Sequence, residues 1–416
     1  QGIPFAYNFY DSWWTFFKTG RFPLYDENVM LGADNITANT FYGIFSPFVF
    51  PMLFFPRSWI PQLVAFLEIA RLVIGGLLFR KYLKYLGVSE NTSRLFSIAY
   101  AFTGWTAYIL WFNSFYEVAT FFPMVLWGIE RCIKERKIDI LSSGLFLLGI
   151  SNYFFFITAG VFGVIYALFR FFQTVRTRNT KQNLAVMGLG VLGFAVGFGM
   201  TASVCLPAIL SSMGMARAES STYLTEIKIA LESKDFKQLF ELIFKTWHNP
   251  GVDSSDKGWA IFYPIASFFF PNASCRFVNI FRTNFDNYQS SIFLYTPMMI
   301  MFFASMYRSF KNKKVSHFIA IAMVCFCLFT PFFYQLCGFF SIGYGRWEIV
   351  VPLVALAYIA INYDHKDEIP TLAIIVSGVV CLLEMLMLII VAERLSKQYE
   401  QISDIGAIYA LIIYEI

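Results

Sequence analysis

The chain has 416 residues, of which 57% are hydrophobic and only 14% charged, and its mean hydropathy is +0.58. That balance excludes an ordinary soluble domain, and 20% aromatic residues, 50 of them Phe, suit lipid-facing helices and interfacial belts. The formal charge of +5 gives no case for nucleic acid, because Lys and Arg gather at the ends of apolar stretches. Of seven Cys, Cys275 alone lies clearly in a polar connection, so no disulfide framework is visible, and Cys325-x-Cys327 reads as packing inside a span.

The first 58 residues read as a non-spanning region. Asn8–Thr19 predicts a short amphipathic helix with Phe9, Trp13, Phe16 and Phe17 on one side, suited to the membrane interface. A Pro/Gly-marked loop follows from Gly20 to Glu27. Phe41–Phe55 is apolar but short and interrupted by Pro47 and Pro51, which predicts a re-entrant or interfacial segment. Residues 1–40 have none of the marks of a signal peptide. Gln1 is not Met, and the chain stops within the apolar run Ile405–Ile416, so a piece of a longer protein is expected.

A crossing helix needs about 20 apolar residues. Spans are predicted near 59–86, 92–112, 114–133, 139–156, 157–173, 184–210, 291–307, 316–336, 340–362 and 369–392, with a further one beginning near 407. The fourth and fifth require a turn around Ser151-Asn152-Tyr153. The expected fold is an all-α polytopic membrane protein with about ten or eleven transmembrane helices. The chain then divides into four regions: 1–58, a first outer loop; 59–211, a first part of the bundle; 212–290, a large outer region; and 291–416, a second part of the bundle. In the outer region Glu226–Lys245 reads as a helix and Trp259–Phe270 as a short apolar stretch.

Basic residues cluster at every second connection: Arg80, Lys81 and Lys84; Arg131, Lys134, Arg136 and Lys137; Arg170, Arg176, Arg178 and Lys181; Arg308, Lys311, Lys313 and Lys314. The positive-inside rule puts these ends in the cytoplasm and the large loops outside the cell membrane.

Ionisable groups in a membrane are costly, so each is a candidate for function. Glu68 and Arg71, three residues apart, predict a neutralised pair. Glu384 reads as structural or interhelical, and Glu130, beside Arg131, as snorkelling. Glu117 and Asn113 sit on a tight turn at the outward start of the third span. A carboxylate there can bind a divalent metal or act as a base, or can be a solvated or capping charge. Arg346 follows Gly343-Tyr344-Gly345 at another outward span start. It suits a bidentate grip on phosphate, or an ion pair with Glu348. Asp26, Glu27, Asp34 and Asn35 cluster around Gly32, an oxygen-rich turn that could hold a hard metal with water and phosphate, or simply be polar. No GxxxxGK[ST], HExxH or GxSxG motif occurs, and of the three His residues only His248 falls in an outer region, so His-based catalysis has little support.

Several of these pieces, in this order, resemble the YfhO family of bacterial multi-pass membrane proteins, placed among the GT-C-fold glycosyltransferases. The matching stretches are Gly20–Asp26 with Leu31–Asp34, Asn113–Glu117 followed by Phe122–Glu130, Ser151–Phe154, Leu206-Pro207-Ala208 followed by Arg217, Tyr295, and Tyr344–Trp347. The resemblance covers nearly the whole chain and rests on order and placement rather than on one specific motif. It implies a GT-C-like bundle that moves a sugar from a polyprenyl-phosphate donor to a cell-envelope glycopolymer, a teichoic acid or surface polysaccharide, at the outer face of the bilayer.

Under that resemblance Arg346, with Tyr344, would hold the donor phosphate. Asp26, or an Asp preceding Gln1, would activate the acceptor hydroxyl. Glu117 and Asn113 would orient the donor, or a divalent metal (Mg or Mn) if one is used. Asp34, Asn35, Tyr295 and Arg217 would contact substrate, and residues 212–290, with Trp247, Trp259 and Tyr263, would cover the site. Two other readings stay open: a flippase of lipid-linked sugars, which would favour charges deep in several spans and inverted repeats, and a non-catalytic envelope-assembly subunit.

Overall fold

Helix breaks and buried charges, more than hydropathy, decide where the apolar stretches of this chain stop. The computed structural model describes residues 2–27, 32–109, 115–213, 222–244, 262–269, 291–337 and 345–398. Apart from one two-stranded antiparallel ribbon, β1 (Tyr25–Asp26) with β2 (Ala33–Asp34), the regular structure of these residues is helical. By packing, the chain divides into two units, Gln1–Ala101 with Ile109–Met215 and Phe102–Tyr108 with Ala216–Ile416.

In the first unit α1 (Gly2–Thr19) precedes the ribbon, and α2 (Asn35–Thr40) follows it. Then come α3 (Ile60–Tyr85), α4 (Glu90–Ala101), α6 (Tyr116–Glu135), α7 (Asp139–Ser151), α8 (Tyr153–Thr174) and α9 (Thr180–Met213), while α5 (Gly104–Ile109) falls mostly in the second unit. Helix α6 lies against α3, α7 and α8. It comes close to α7 because position 128 is Gly: a Cβ there would fall 2.4 Å from the Leu141 backbone. Small residues at such crossings allow the backbone approach typical of membrane helices. Arg136, in the left-handed conformation at φ 59°, ends α6. The predicted turn at Ser151-Asn152-Tyr153 is present: Asn152 caps α8 by accepting from the amides of Phe154 and Phe155, and its Nδ2 donates to Phe41 O at 2.7 Å.

The second unit contains α10 (Thr222–Glu232), α11 (Phe236–Phe244), α12 (Phe262–Phe269), α13 (Thr296–Lys311), α14 (Val315–Phe329), α15 (Pro331–Cys337), α16 (Val350–Tyr363) and α17 (Thr371–Gln398). The single helix predicted over Glu226–Lys245 is two helices, broken where Lys234 adopts φ 55°. Tyr223, Ala230 and Leu242 are buried together between them. Helix α13 packs on α16 and α17. Its Arg308 donates to Asn362 Oδ1 at 2.9 Å and pairs with Glu368 at 2.9 Å.

The predicted ten or eleven crossings are corrected by the structure. Among the described residues four helices are long and apolar enough to cross a membrane: Arg57–Tyr85, Tyr153–Thr174, Thr180–Ser211 and Gly345–Tyr363. A fifth is counted if Val315–Phe329 and Pro331–Cys337, bent by 77°, form one broken span. The reasons are length and charge. Helices α4, α7 and α13 have 12, 13 and 16 residues, against the ~20 a crossing needs. Helix α6 has 20 residues but carries Glu117, Glu130, Arg131, Lys134 and Glu135. The span predicted from residue 407 lies outside the described residues. The chain is an all-α membrane protein, and its described residues hold fewer long crossings than hydropathy suggests.

Gly128→Ala should lower the thermal unfolding temperature of the detergent-solubilised protein, by the ~1–3 kcal/mol typical of overpacking. Gly188→Ala, where a Cβ meets nothing within 4 Å, should leave it unchanged or raised. Equal responses would remove the close approach as an explanation. In the connection after α16, hydrogen bonds from Arg308 and then Asn312 hold the Glu368 carboxyl below its usual range. A lowered folded value stabilises above the unfolded value and is lost as pH falls through the folded one. Glu368→Gln should therefore flatten the acid limb of a stability–pH curve below about pH 4.3, the usual Glu value.

Candidate functional site

The first-loop candidates are held by a buried chain of polar side chains. Asp26, 7% exposed, accepts from Asn8 Nδ2. Ser12 Oγ donates to Asn8 Oδ1 at 3.0 Å, and Asn35 Nδ2 donates to Ser12 Oγ at 3.1 Å and to Pro23 O at 2.9 Å. Asn39 Nδ2 completes the chain by donating to Asn35 Oδ1 at 2.6 Å. Asp26 and Asn35, both nominated from sequence, thus belong to one network that fastens the loop to α1. Asp34 is exposed and caps α2, accepting from the Thr37 amide at 2.7 Å and the Thr37 hydroxyl at 3.1 Å. A cap is worth about 1 kcal/mol and gives this carboxylate local structural work.

Glu117 belongs to a different cluster of the same unit. It is 1% exposed in the first turn of α6. Its Oε1 accepts from Ser46 Oγ at 2.9 Å and lies 3.2 Å from Arg71 Nη2. Arg71 Nη1 reaches Glu68 Oε1 at 3.5 Å, and its guanidinium stacks 4.7 Å from the Phe48 ring. The sequence predicted a Glu68–Arg71 pair; the structure shows one guanidinium between two carboxylates. Oε2 of Glu117 and Oε2 of Glu68 are buried with no hydrogen-bond partner among the described residues. With all three groups ionised the cluster carries one net negative charge. Such an arrangement can receive a hydrogen-bond donor or a positive charge from a ligand.

In the second unit Arg346 lies in the 3₁₀ turn Gly345–Ile349 that leads directly into α16. The residue is 9% exposed, and its carbonyl accepts from Trp105 Nε1 at 3.2 Å. Glu348 is wholly buried and accepts from Tyr334 OH at 2.8 Å. Tyr295, 42% exposed before α13, donates to Phe102 O at 2.6 Å. Helix α16 continues from Arg346 along a largely apolar cavity of about 400 Å³, lined by Val351, Val354 and Tyr358 together with Phe268, Phe302 and Leu328. Glu384, read from sequence as structural or interhelical, is on the wall of this cavity.

Asn113, Arg217 and Tyr344 lie outside the described residues, as do Trp247 and Trp259. Among the described residues no group of three or more His, Cys, Asp or Glu side chains could hold a metal ion. Sequence reasoning missed Asn8, Ser12 and Asn39, whose i, i+4 spacing on α1 and α2 was the available signal. It also missed Ser46, which had none. Glu130 does not snorkel. It is wholly buried, accepts from Tyr166 OH at 2.7 Å and Arg170 Nη2 at 3.0 Å, and lies 3.5 Å from Lys134.

Apolar helices long enough to cross a membrane and buried charges held in clusters define an all-α integral membrane protein. The family model described as bacterial membrane protein YfhO matches residues 1–249, and the chain belongs to that family. It is also 25% identical over 196 residues to a protein of Lactococcus lactis subsp. cremoris (strain MG1363) described as uncharacterized. That match covers 44% of this chain and 31% of the relative, so the chain spans about a third of the relative's length. No solved structure matches the chain.

Arg71→Met should destabilise the protein strongly, by roughly 3–5 kcal/mol, because it leaves two buried carboxylates without their counter-charge. Adding Glu117→Gln to that variant should recover part of the loss. A chemical or thermal unfolding cycle on the two single variants and the double checks this, and additive effects would show that the three groups do not act as a cluster.

Proposed function

We propose that this chain belongs to a membrane glycosyltransferase that moves a sugar from a polyprenyl-phosphate donor to a cell-envelope glycopolymer, a teichoic acid or surface polysaccharide, on the outer face of the bilayer. The observation that carries the reading is Arg346 at the head of α16, whose following turns line the apolar cavity of the second unit. A lipid-linked sugar needs a cation at its phosphate and a dry channel for its tail, and one helix start supplies both. A guanidinium binds phosphate through two parallel N–H donors and stabilises the charge that develops as it leaves.

In the transfer, the acceptor oxygen bonds to the anomeric carbon, the bond from that carbon to the phosphate oxygen breaks, and its electron pair stays on the phosphate. The acceptor hydroxyl passes its proton to a carboxylate. Glu117 suits contact with a substrate hydroxyl, because Arg71 and Ser46 hold Oε1 and leave Oε2 for another donor. Asp26, tied to Asn8, is another carboxylate the resemblance implies for the base. Asp34, Tyr295, Asn113 and Arg217 keep their proposed substrate contacts and Tyr344 its place at the donor phosphate, while Asn35, held by Ser12, Pro23 and Asn39, would position the loop. Mg or Mn receives no ligand set from the described residues, so the steps proposed here run through side chains. The basic connections face the cytoplasm in this reading, by the positive-inside rule.

A flippase is the second reading, favoured by Glu68, Arg71 and Glu117, a set of ionisable groups buried between α3 and α6. One experiment separates the two. The full-length protein in liposomes receives polyprenyl-phosphate sugars and membrane glycopolymer, and label transfer is followed for wild type, Arg346→Ala and Glu117→Gln. The expected result is transfer by wild type, and a loss of about 10²-fold or more in folded Arg346→Ala, the size seen when a charge-stabilising donor is removed. Carrier movement across the bilayer without transfer, surviving Arg346→Ala, overturns the transferase reading.

A further inference from the structure

We propose that the groove between α6, α8 and α9 in the first unit holds one acyl chain of an anionic glycerophospholipid, with the lipid phosphate on Arg178. The groove has a volume of about 320 Å³ and an almost wholly apolar lining, with Cys132 on its α6 side. That volume is at the small end for ligand pockets and suits a single chain. Five of its lining residues, Val164, Leu168, Phe172, Met187 and Val191, are exposed, so the groove opens sideways on the faces of α8 and α9. Both helices are long and apolar enough to cross a membrane, so that opening faces hydrocarbon.

The α8–α9 connection joins the two helices that line one end of the groove. Phe171 and Phe172 line it one turn before α8 ends at Thr174, and Val186 and Met187 line it shortly after α9 begins at Thr180. Arg178 lies in that connection. Its Nη2 donates to Thr174 Oγ1, while Nη1 is shut off from solvent with no hydrogen-bond partner. Its charge is felt at Cys132, a lining residue. Glu130, a buried carboxylate of α6, is already engaged by Arg170, Lys134 and Tyr166. Among the described residues no carboxylate accepts from Arg178. A guanidinium N–H withdrawn from water without an acceptor is unfavourable, and a lipid phosphate at the membrane surface is the acceptor such basic pockets take. The occupant is therefore a bilayer lipid with a negative phosphate and an acyl chain. The assignment stands independently of the glycosyltransferase reading.

The test is native mass spectrometry of the full-length protein released from detergent micelles holding equal amounts of phosphatidylglycerol and phosphatidylcholine. A second arm adds undecaprenyl phosphate, and a third sn-glycerol 3-phosphate. One phosphatidylglycerol should be retained about tenfold over phosphatidylcholine, whose choline cation offsets the charge of its phosphate beside Arg178, a difference of about 1.4 kcal/mol. Arg178→Gln should erase that preference. Gly190→Leu should reduce retention of both lipids, because Gly190 lines the groove and a Cβ there meets nothing within 4 Å. Sn-glycerol 3-phosphate should fail to compete. Equal retention by wild type, a preference that survives in folded Arg178→Gln, competition by sn-glycerol 3-phosphate, or displacement of phosphatidylglycerol by undecaprenyl phosphate would each overturn the assignment.

Discussion

The guanidinium of Arg71 organises the first unit. In an apolar helix an unpaired charge is expensive, and α3 alone offers it only Glu68. The shorter contact is to Glu117 on α6, at 3.2 Å against 3.5 Å. The ion pair therefore sets how α3 meets α6. Gly75 of α3 permits that meeting, since a Cβ there would lie 3.0 Å from the Ala119 carbonyl. Glu117 in turn accepts from Ser46, which ties the turn after α2 to the helices. Gly43, at φ 89°, gives that turn its left-handed step. One buried charge thus fixes the position of two helices and a loop.

The same constraint shapes the basic end of α6. Glu130 is wholly buried, with Arg170, Lys134 and Tyr166 around it, and Tyr82 donates to Tyr166 at 2.9 Å. This network links α3, α6 and α8, and the described residues meet the acceptor capacity of its carboxylate more fully than they do at Glu117. A carboxylate with three donors is a structural joint. One with a buried oxygen left unmatched is the better candidate for chemistry, because the protein has supplied its orientation and left a position for something else.

Much of this was legible in the sequence, and the parts that were not share a cause. Hydropathy located nearly every helix, and Asn152 marked a break because its side chain can cap the next helix. Hydropathy misjudged how many stretches cross, since it averages over breaks. The stretch predicted as 92–112 contains α4 and the short α5, and Thr330-Pro331 turns another by 77°. Residue type and position nominated Glu117 and Asp26, but not the partners the structure gives them, Arg71, Ser46 and Asn8. Arg71 lies 46 residues before Glu117, and Ser46 lies 71 before it. Pairing over such distances depends on helix crossings, and no local pattern encodes it.

The two ends of the proposed reaction make different physical demands. The donor side needs a fixed positive charge beside a dry apolar wall. In the second unit Arg346 lies a few residues before Val351, where the helix begins to line the α16 cavity, and a stretch that short is one a local motif can point to. The proton-accepting side needs a carboxylate that is oriented yet unsaturated, which requires partners chosen from elsewhere in the fold. In the first unit Arg71 neutralises part of the charge that would make burial of Glu117 prohibitive, and one Glu117 oxygen stays unengaged among the described residues. Replacing the cluster with apolar residues could serve packing as well or better. With both carboxylates ionised, the guanidinium they share leaves one negative charge unbalanced, and that is the physical reason to look for a ligand there.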